Sequence, residues 1–378
     1  MLAICSDLDE TPDLESYLTL SRYLNTKEET AIGRGLGLET GNTIYFDMAP
    51  GEFSYWNTSD AGRAAIHALI RSGHIDCFHS FGDLASTRAH VNRALAALNQ
   101  HDCQLPVWVD HAVAPTNLGP DIMLGQGDIK SARAYHADLT LAHGVRYVWL
   151  GRVSSCMGQD APYSARTGLS QVRDRRSLVN SLKDAVKVAR GGIGDPKYAL
   201  HWGNPLTRPY VLRDGQTVTE FMRCNPHPYG VSVGDDAEGL GSALQPVSMR
   251  RLINREGFCV LYTHIGKHVS GKGLLPNQTR KSLEDLAEHH DRGEILVTTT
   301  RRLLDYHSLT RKVSYGLKDN SLVVDSCGLD ASGLTFYGLQ PGQQIILNGR
   351  MVQARWNPSD HTKKPSCSIP FERLFYPL

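Results

Sequence analysis

Long apolar runs are missing from this sequence. Stretches such as Phe258-Cys259-Val260-Leu261-Tyr262 fall far short of the roughly 20 residues a bilayer crossing needs, so no membrane span is expected. The first residues, MLAICSDLDETP, lack the basic start, apolar stretch and small-residue cleavage site of a secretory leader. A cytoplasmic protein is expected. Charge of one sign is missing too. Forty basic residues against 39 acidic ones leave a net +1, which gives no footprint for nucleic acid. The 8 cysteines form no C-x-x-C pair. Cys5, Cys77 and Cys259 sit inside apolar strand-like runs, where they read as buried small hydrophobes rather than disulfide partners or metal ligands. There are no internal repeats and no low-complexity tract. Gly33-Arg34-Gly35-Leu36-Gly37 is not followed by the Lys-Ser/Thr of a phosphate loop.

What is present is enough for one large barrel and an appendage: 378 residues, 41% of them hydrophobic, can bury a sizeable core. Apolar runs at Leu2–Ser6, Thr43–Asp47, Ile75–Phe78, Leu105–Val109, Val145–Leu150, Tyr198–Trp202, Phe258–Thr263 and Ile295–Thr298 read as strands buried on both faces. Between them, Ala61–Ser72, Ser86–His101, Lys130–His143, Ser177–Arg190, Val247–Glu256 and Thr279–Arg292 carry apolar residues at helical spacing. Strands alternating with helices predict an α/β barrel over residues 1–311. From Val313 onward only short β-rich runs remain, at Ser321–Val324, Leu334–Tyr337, Gln344–Leu347 and Val352–Trp356, separated by turn signals. They predict a small antiparallel β domain over 312–378. Arg208–Glu238 is rich in Pro, Gly and Asp and reads as a long excursion on the barrel rim.

Several strands end in residues that can do chemistry. Ser6-Asp7-Leu8-Asp9 places two carboxylates on one side of a strand end, which a cation or a shared proton would make tolerable. Ile75-Asp76-Cys77-Phe78-His79 ends in an imidazole, and Asp83 follows four residues on. Trp108-Val109-Asp110-His111 and Leu261-Tyr262-Thr263-His264 end two further strands. Each has a plainer alternative. Asp9 or Thr11 caps a helix from Pro12, His79 bonds backbone, Asp83 caps the next helix, and His264 packs under the rim with His268 in its place. The C-terminal strand ends of a parallel barrel form its active-site face, however, and four such ends together favour a site. Trp202, Asn204, Arg208, His227 and Tyr229 populate the irregular rim, where aromatic rings could stack on sugar faces.

On these motifs the chain resembles the polysaccharide deacetylase superfamily, of the carbohydrate esterase family 4 kind. Ser6-Asp7-Leu8-Asp9 is similar to the family's pair of aspartates, here spaced by one residue. His79-Ser80-Phe81-Gly82-Asp83 is similar to its His-[Ser/Thr]-x-x-His motif, with Asp83 in the second place. Leu261-Tyr262-Thr263-His264 resembles its late Leu-x-His motif. The resemblance covers roughly residues 2–310, and the C-terminal β domain lies outside it. The family's Arg-x-Pro motif is missing; Asp110-His111-Ala112 stands there, and Arg152 is the candidate for the absent positive charge.

The resemblance implies a distorted (β/α)7 barrel of the polysaccharide deacetylase type. It implies one divalent metal ion held by Asp9, His79 and Asp83, zinc by default, with manganese, cobalt and nickel as harder alternatives suited to two carboxylates. Asp7 is then the general base and His264 the general acid, with Asp110, His111, Arg152 and Trp202 against substrate. The implied activity is removal of an N-acyl group from a sugar during surface-polysaccharide biosynthesis. Two other readings stay open: a catalytically degraded barrel that binds a glycan, and a glycoside hydrolase using Asp7 and Asp110 as its carboxylate pair.

Overall fold

Strand and helix alternate from the first residues. β1 (Leu2–Ser6), β2 (Gly41–Ile44), β3 (Ile75–His79), β4 (Val107–Val109) and β5 (Tyr147–Trp149) are buried along their whole length. Each pairs in parallel with the next. Between them run α1 (Leu14–Asn25), α2 (Asp60–Ser72), α3 (Arg88–Gln100) and α4 (Ala137–Ala142). The computed structural model describes residues 1–8, 10–161, 174–230, 233–268, 273–340, 342–357 and 364–378.

Local chemistry sets the helix limits. Ser59 caps α2 by accepting from the Gly62 N–H, and Gly73, at φ +86°, ends it in the left-handed conformation. The helix buries Ile66, Leu69 and Ile70, which share one face at three- and four-residue spacing. Each such side chain contributes about 1.5–3 kcal/mol on burial. The cap of α1 is Asp13, not Asp9 or Thr11, and the cap of α3 is Thr87, which leaves Asp83 outside the helix.

The second half adds β6 (Val153–Ser154), α5 (Arg175–Gly192), β7 (Thr207–Val211), β8 (Thr217–Phe221), β9 (Arg223–Cys224), α6 (Ala237–Ala243), α7 (Pro246–Arg255), β10 (Cys259–Thr263), α8 (Asn277–Asp291) and β11 (Val297–Thr298). β5 pairs with β8, β6 with β9, β9 with β10 and β10 with β1, all in parallel. β11 also pairs with β1, and β7 lies antiparallel on β8. Strands β1 to β5 thus lie side by side in sequence order, the later strands are added at both ends of that row, and the mostly parallel sheet curls into a barrel-like form. Its core holds an aromatic cluster of Phe46, Phe78, Phe81 and Trp108 on one side, and Leu2, Ile4, Leu261 and Leu283 on another.

Three expectations are corrected here. Tyr198–Trp202 is not a strand: Pro196–His201 is a 3-10 turn, started by Asp195, whose side chain accepts from the Lys197 N–H. The missing strand comes from the stretch read as irregular, where β7 and β8 form a hairpin across Asp214-Gly215 with Gly215 at φ +94°. Only Ala137–Ala142 of the Lys130–His143 pattern is helical. The N–H groups of His136 and Ala137 go to the Gly127 carbonyl instead of continuing a helix backward.

The chain divides into two units, Met1–Arg301 with Phe375–Leu378, and Arg302–Leu374. The division falls near the start of α9 (Thr300–Lys312) rather than at its end, where the turn signals begin. The second unit holds β12 (Ser314–Lys318), β13 (Ser321–Asp325), β14 (Thr335–Tyr337), β15 (Gln344–Leu347), β16 (Arg350–Val352), β17 (Arg355–Asn357) and β18 (Ser366–Ser368). They form a four-stranded and a three-stranded sheet. It is not purely antiparallel, because β13 and β15 pair in parallel. The run Val352–Trp356 is broken between β16 and β17, which belong to different sheets. Among the described residues no helix is long and apolar enough to cross a membrane.

Candidate active site

Asp7 extends the pairing of β1 by one residue, its N–H bonding the Thr263 carbonyl at 2.9 Å. That places its carboxylate at the C-terminal end of the parallel strands, fully buried. Arg223 of β9 meets it with two charge-assisted hydrogen bonds, Nη2 to Oδ1 at 2.6 Å and Nη1 to Oδ2 at 2.8 Å. The guanidinium is itself wedged between Trp149 of β5 and Tyr262 of β10, 4.4 and 4.5 Å from the ring centroids. These cation–π contacts offset part of the cost of burying the charge. Burial, the largest single influence, would raise the Asp7 pKa, but the Arg223 charge and hydrogen bonds together with His79 and His264 outweigh it, and the carboxyl is held below its ordinary range.

Two imidazoles face the same carboxylate. His79, the last residue of β3, brings Nε2 to 3.5 Å from Asp7 Oδ2 and stacks on Tyr45 at 4.5 Å. His264, directly after β10, brings Nε2 to 4.0 Å from the same oxygen. Its Nδ1 lies 2.7 Å from the Asp235 carbonyl oxygen, so Nδ1 carries the proton and Nε2 is the atom turned toward Asp7. His268 goes elsewhere, pairing with Glu238 at 3.1 Å. Of the two late histidines, His264 therefore belongs to the Asp7 cluster.

His111 and Asp83 stand beside this group. The His111 ring meets His79 edge to face at 4.7 Å, and its Nδ1 lies 2.8 Å from Asp83 Oδ1. Asp83 is half exposed. Asp9 lies outside the described residues. Among the described residues no three metal-capable donors come together. Those that are described, an imidazole at His79 and a carboxylate at Asp83 bridged by His111, have the donor chemistry of a divalent-cation site.

Asp110, Arg152 and Trp202 have surroundings of their own. Asp110 accepts from Trp108 Nε1 at 2.7 Å and from the Leu118 and Gly119 N–H groups at 2.8 Å. Both its oxygens are thus engaged in shaping its own loop, and burial lifts its pKa to about 7. A Cβ at Gly119 would sit 2.7 Å from Asp110 Oδ2, so the loop needs glycine there. Arg152 does not reach Asp7: it pairs with Glu220 at 2.8 Å and Asp121 at 2.7 Å. Trp202 is 60% exposed at the end of α5, where a Cβ on Gly192 would meet its ring at 2.7 Å.

Arg223 is the residue that sequence reasoning missed. Its signal was a lone charge in the apolar run Phe221-Met222-Arg223-Cys224, which a barrel strand can bury only against an opposite charge. No family model matches the chain, and neither the curated proteins nor the solved structures contain a match to it.

Proposed function

We propose that this protein is a metal-dependent deacetylase that hydrolyses the amide of an N-acylated sugar in cytoplasmic steps of surface-polysaccharide assembly. Its curled sheet is read as a distorted seven-stranded barrel of the polysaccharide deacetylase type. The observation that carries the reading is the convergence of His79 and His264 on a single ionised carboxylate, Asp7, which Arg223 holds in place.

In this reading Asp9, His79 and Asp83 hold a divalent ion, zinc by default, which when bound polarises an acyl carbonyl and acidifies water. Asp7 takes a proton from the attacking water. Arg223 gives one hydrogen bond to each carboxylate oxygen, and Oδ2 is the oxygen that both imidazoles approach. His264, as the imidazolium, protonates the leaving amine from Nε2 and keeps its Nδ1 proton on the Asp235 carbonyl. An amide needs that proton, since an unprotonated amine is a poor leaving group. His111, through its bond to Asp83, orients that carboxylate.

The test is acetate release from N-acetylated glycan oligomers by the purified chain, run beside elemental analysis of its metal content. Acetate release that a chelator abolishes and zinc restores is expected. A metal-free chain that binds the oligomers without cleaving them would replace this reading with a glycan-binding barrel.

A further inference from the structure

Helix α5 is amphipathic in the reverse sense. The residues it buries are Ser177 and Asp184, both polar. At about 100° per residue, Leu178, Val179, Leu182, Val186 and the C-cap Ile193 fall on the opposite side. They are 42 to 85% exposed. Polar bonds hold the helix in this orientation. Ser155 Oγ donates to Asp184, whose other oxygen pairs with Lys187 at 3.0 Å. Asp174 and Ser177 close a capping box, and Tyr229 Oη donates to Asp174 at 2.7 Å. Rolling the apolar face inward would break these bonds.

We propose that the outward face of α5 is a docking surface for an anionic lipid bilayer. An exposed apolar stripe flanked by basic side chains is how a helix lies in the plane of a membrane interface. The flank is basic: Arg176, Lys183, Lys187 and Arg190 follow one another along the arc beside the stripe. The only acid within the helix, Asp184, is buried, and Arg190 pairs with Asp195 just beyond it. The charge selects the occupant. A second copy would bring one basic flank against another, whereas anionic headgroups complement it. The inference does not depend on the proposed activity.

The experiment is sedimentation of the full chain with vesicles of phosphatidylcholine containing 30% phosphatidylglycerol, and with phosphatidylcholine alone. Binding to the anionic vesicles is expected, weak on the neutral ones and falling with added salt. Leu182→Asp with Val186→Asp, on exposed positions, should keep the melting temperature and lose at least about tenfold in binding. Arg176→Gln and Lys183→Gln should each cost roughly fivefold. No binding to anionic vesicles, or equal binding by the double aspartate variant, would overturn the proposal. So would a dimer in solution that the double variant dissolves, since the face would then belong to a second copy.

Discussion

Arg223 grips both oxygens of Asp7, at 2.6 and 2.8 Å, across 216 residues of sequence. The two side chains are fully buried and sit on strands separated only by β10. Neither charge would survive there alone. Together they keep a buried carboxylate ionised at the end of the curled sheet, at the point where two imidazoles approach it.

Asp7→Asn keeps the shape and removes the charge. Turnover on an N-acetylated sugar should fall roughly 10²–10⁴-fold, as for loss of a general base. The variant also leaves the Arg223 charge uncompensated, so chemical denaturation should show a loss of about 3–5 kcal/mol. Unchanged acetate release would remove Asp7 from the chemistry.

Arg223→Met exposes the opposite half of the pair. In the native protein the Asp7 carboxyl titrates below its ordinary range, so the ion pair stabilises at neutral pH and is lost as pH falls through that value. Without Arg223, burial governs and the pKa rises. The acid limb of the pH–rate profile should move to higher pH. Asp7→Asn combined with Arg223→Met should be more stable than either single variant, because no lone buried charge remains. Strict additivity of the two losses would mean the residues are not coupled.

His264→Ala should separate two substrates. Hydrolysis of an N-acetyl sugar needs a protonated leaving amine and should be crippled. Hydrolysis of an activated aryl ester needs no such proton and should persist. Equal losses on both would assign His264 to structure or binding.

Asp76 offers a pH test away from the chemistry. It is buried in β3, and burial lifts its pKa from 3.8 to about 6, against bonds from the Arg301 N–H and the Cys77 thiol. The folded chain therefore holds a proton that the unfolded chain has released, and this group's contribution declines as pH rises from about 4 to 6. Asp76→Asn removes the titration, and its single amide oxygen can keep the bond from the Arg301 N–H. Its urea midpoint relative to the native protein should rise across that window. A constant difference between the two proteins from pH 4 to 6 would mean that Asp76 is ionised throughout.

Much of this was legible in the sequence by itself. Apolar runs such as Leu2–Ser6 and Ile75–His79 need burial on both faces, and helical spacing between them, as in Asp60–Ser72, leaves little but a parallel sheet under helices. Strand-end residues Asp7, His79 and His264 follow from the same pattern, because parallel strands put their C-terminal ends on one side. What pairs across the barrel was not legible. Arg152 and Arg223 are both cations near strand ends, and only the curl of the sheet sends one to Glu220 and the other to Asp7. Asp110 ends its strand as Asp7 does, and only the structure shows that its own loop bonds both oxygens. The outward stripe of α5 has a spacing that fits a core helix equally well. Local periodicity records which side chains share a face. Which way that face turns depends on polar partners far along the chain, here Ser155 beneath Asp184, and only the tertiary structure brings them together.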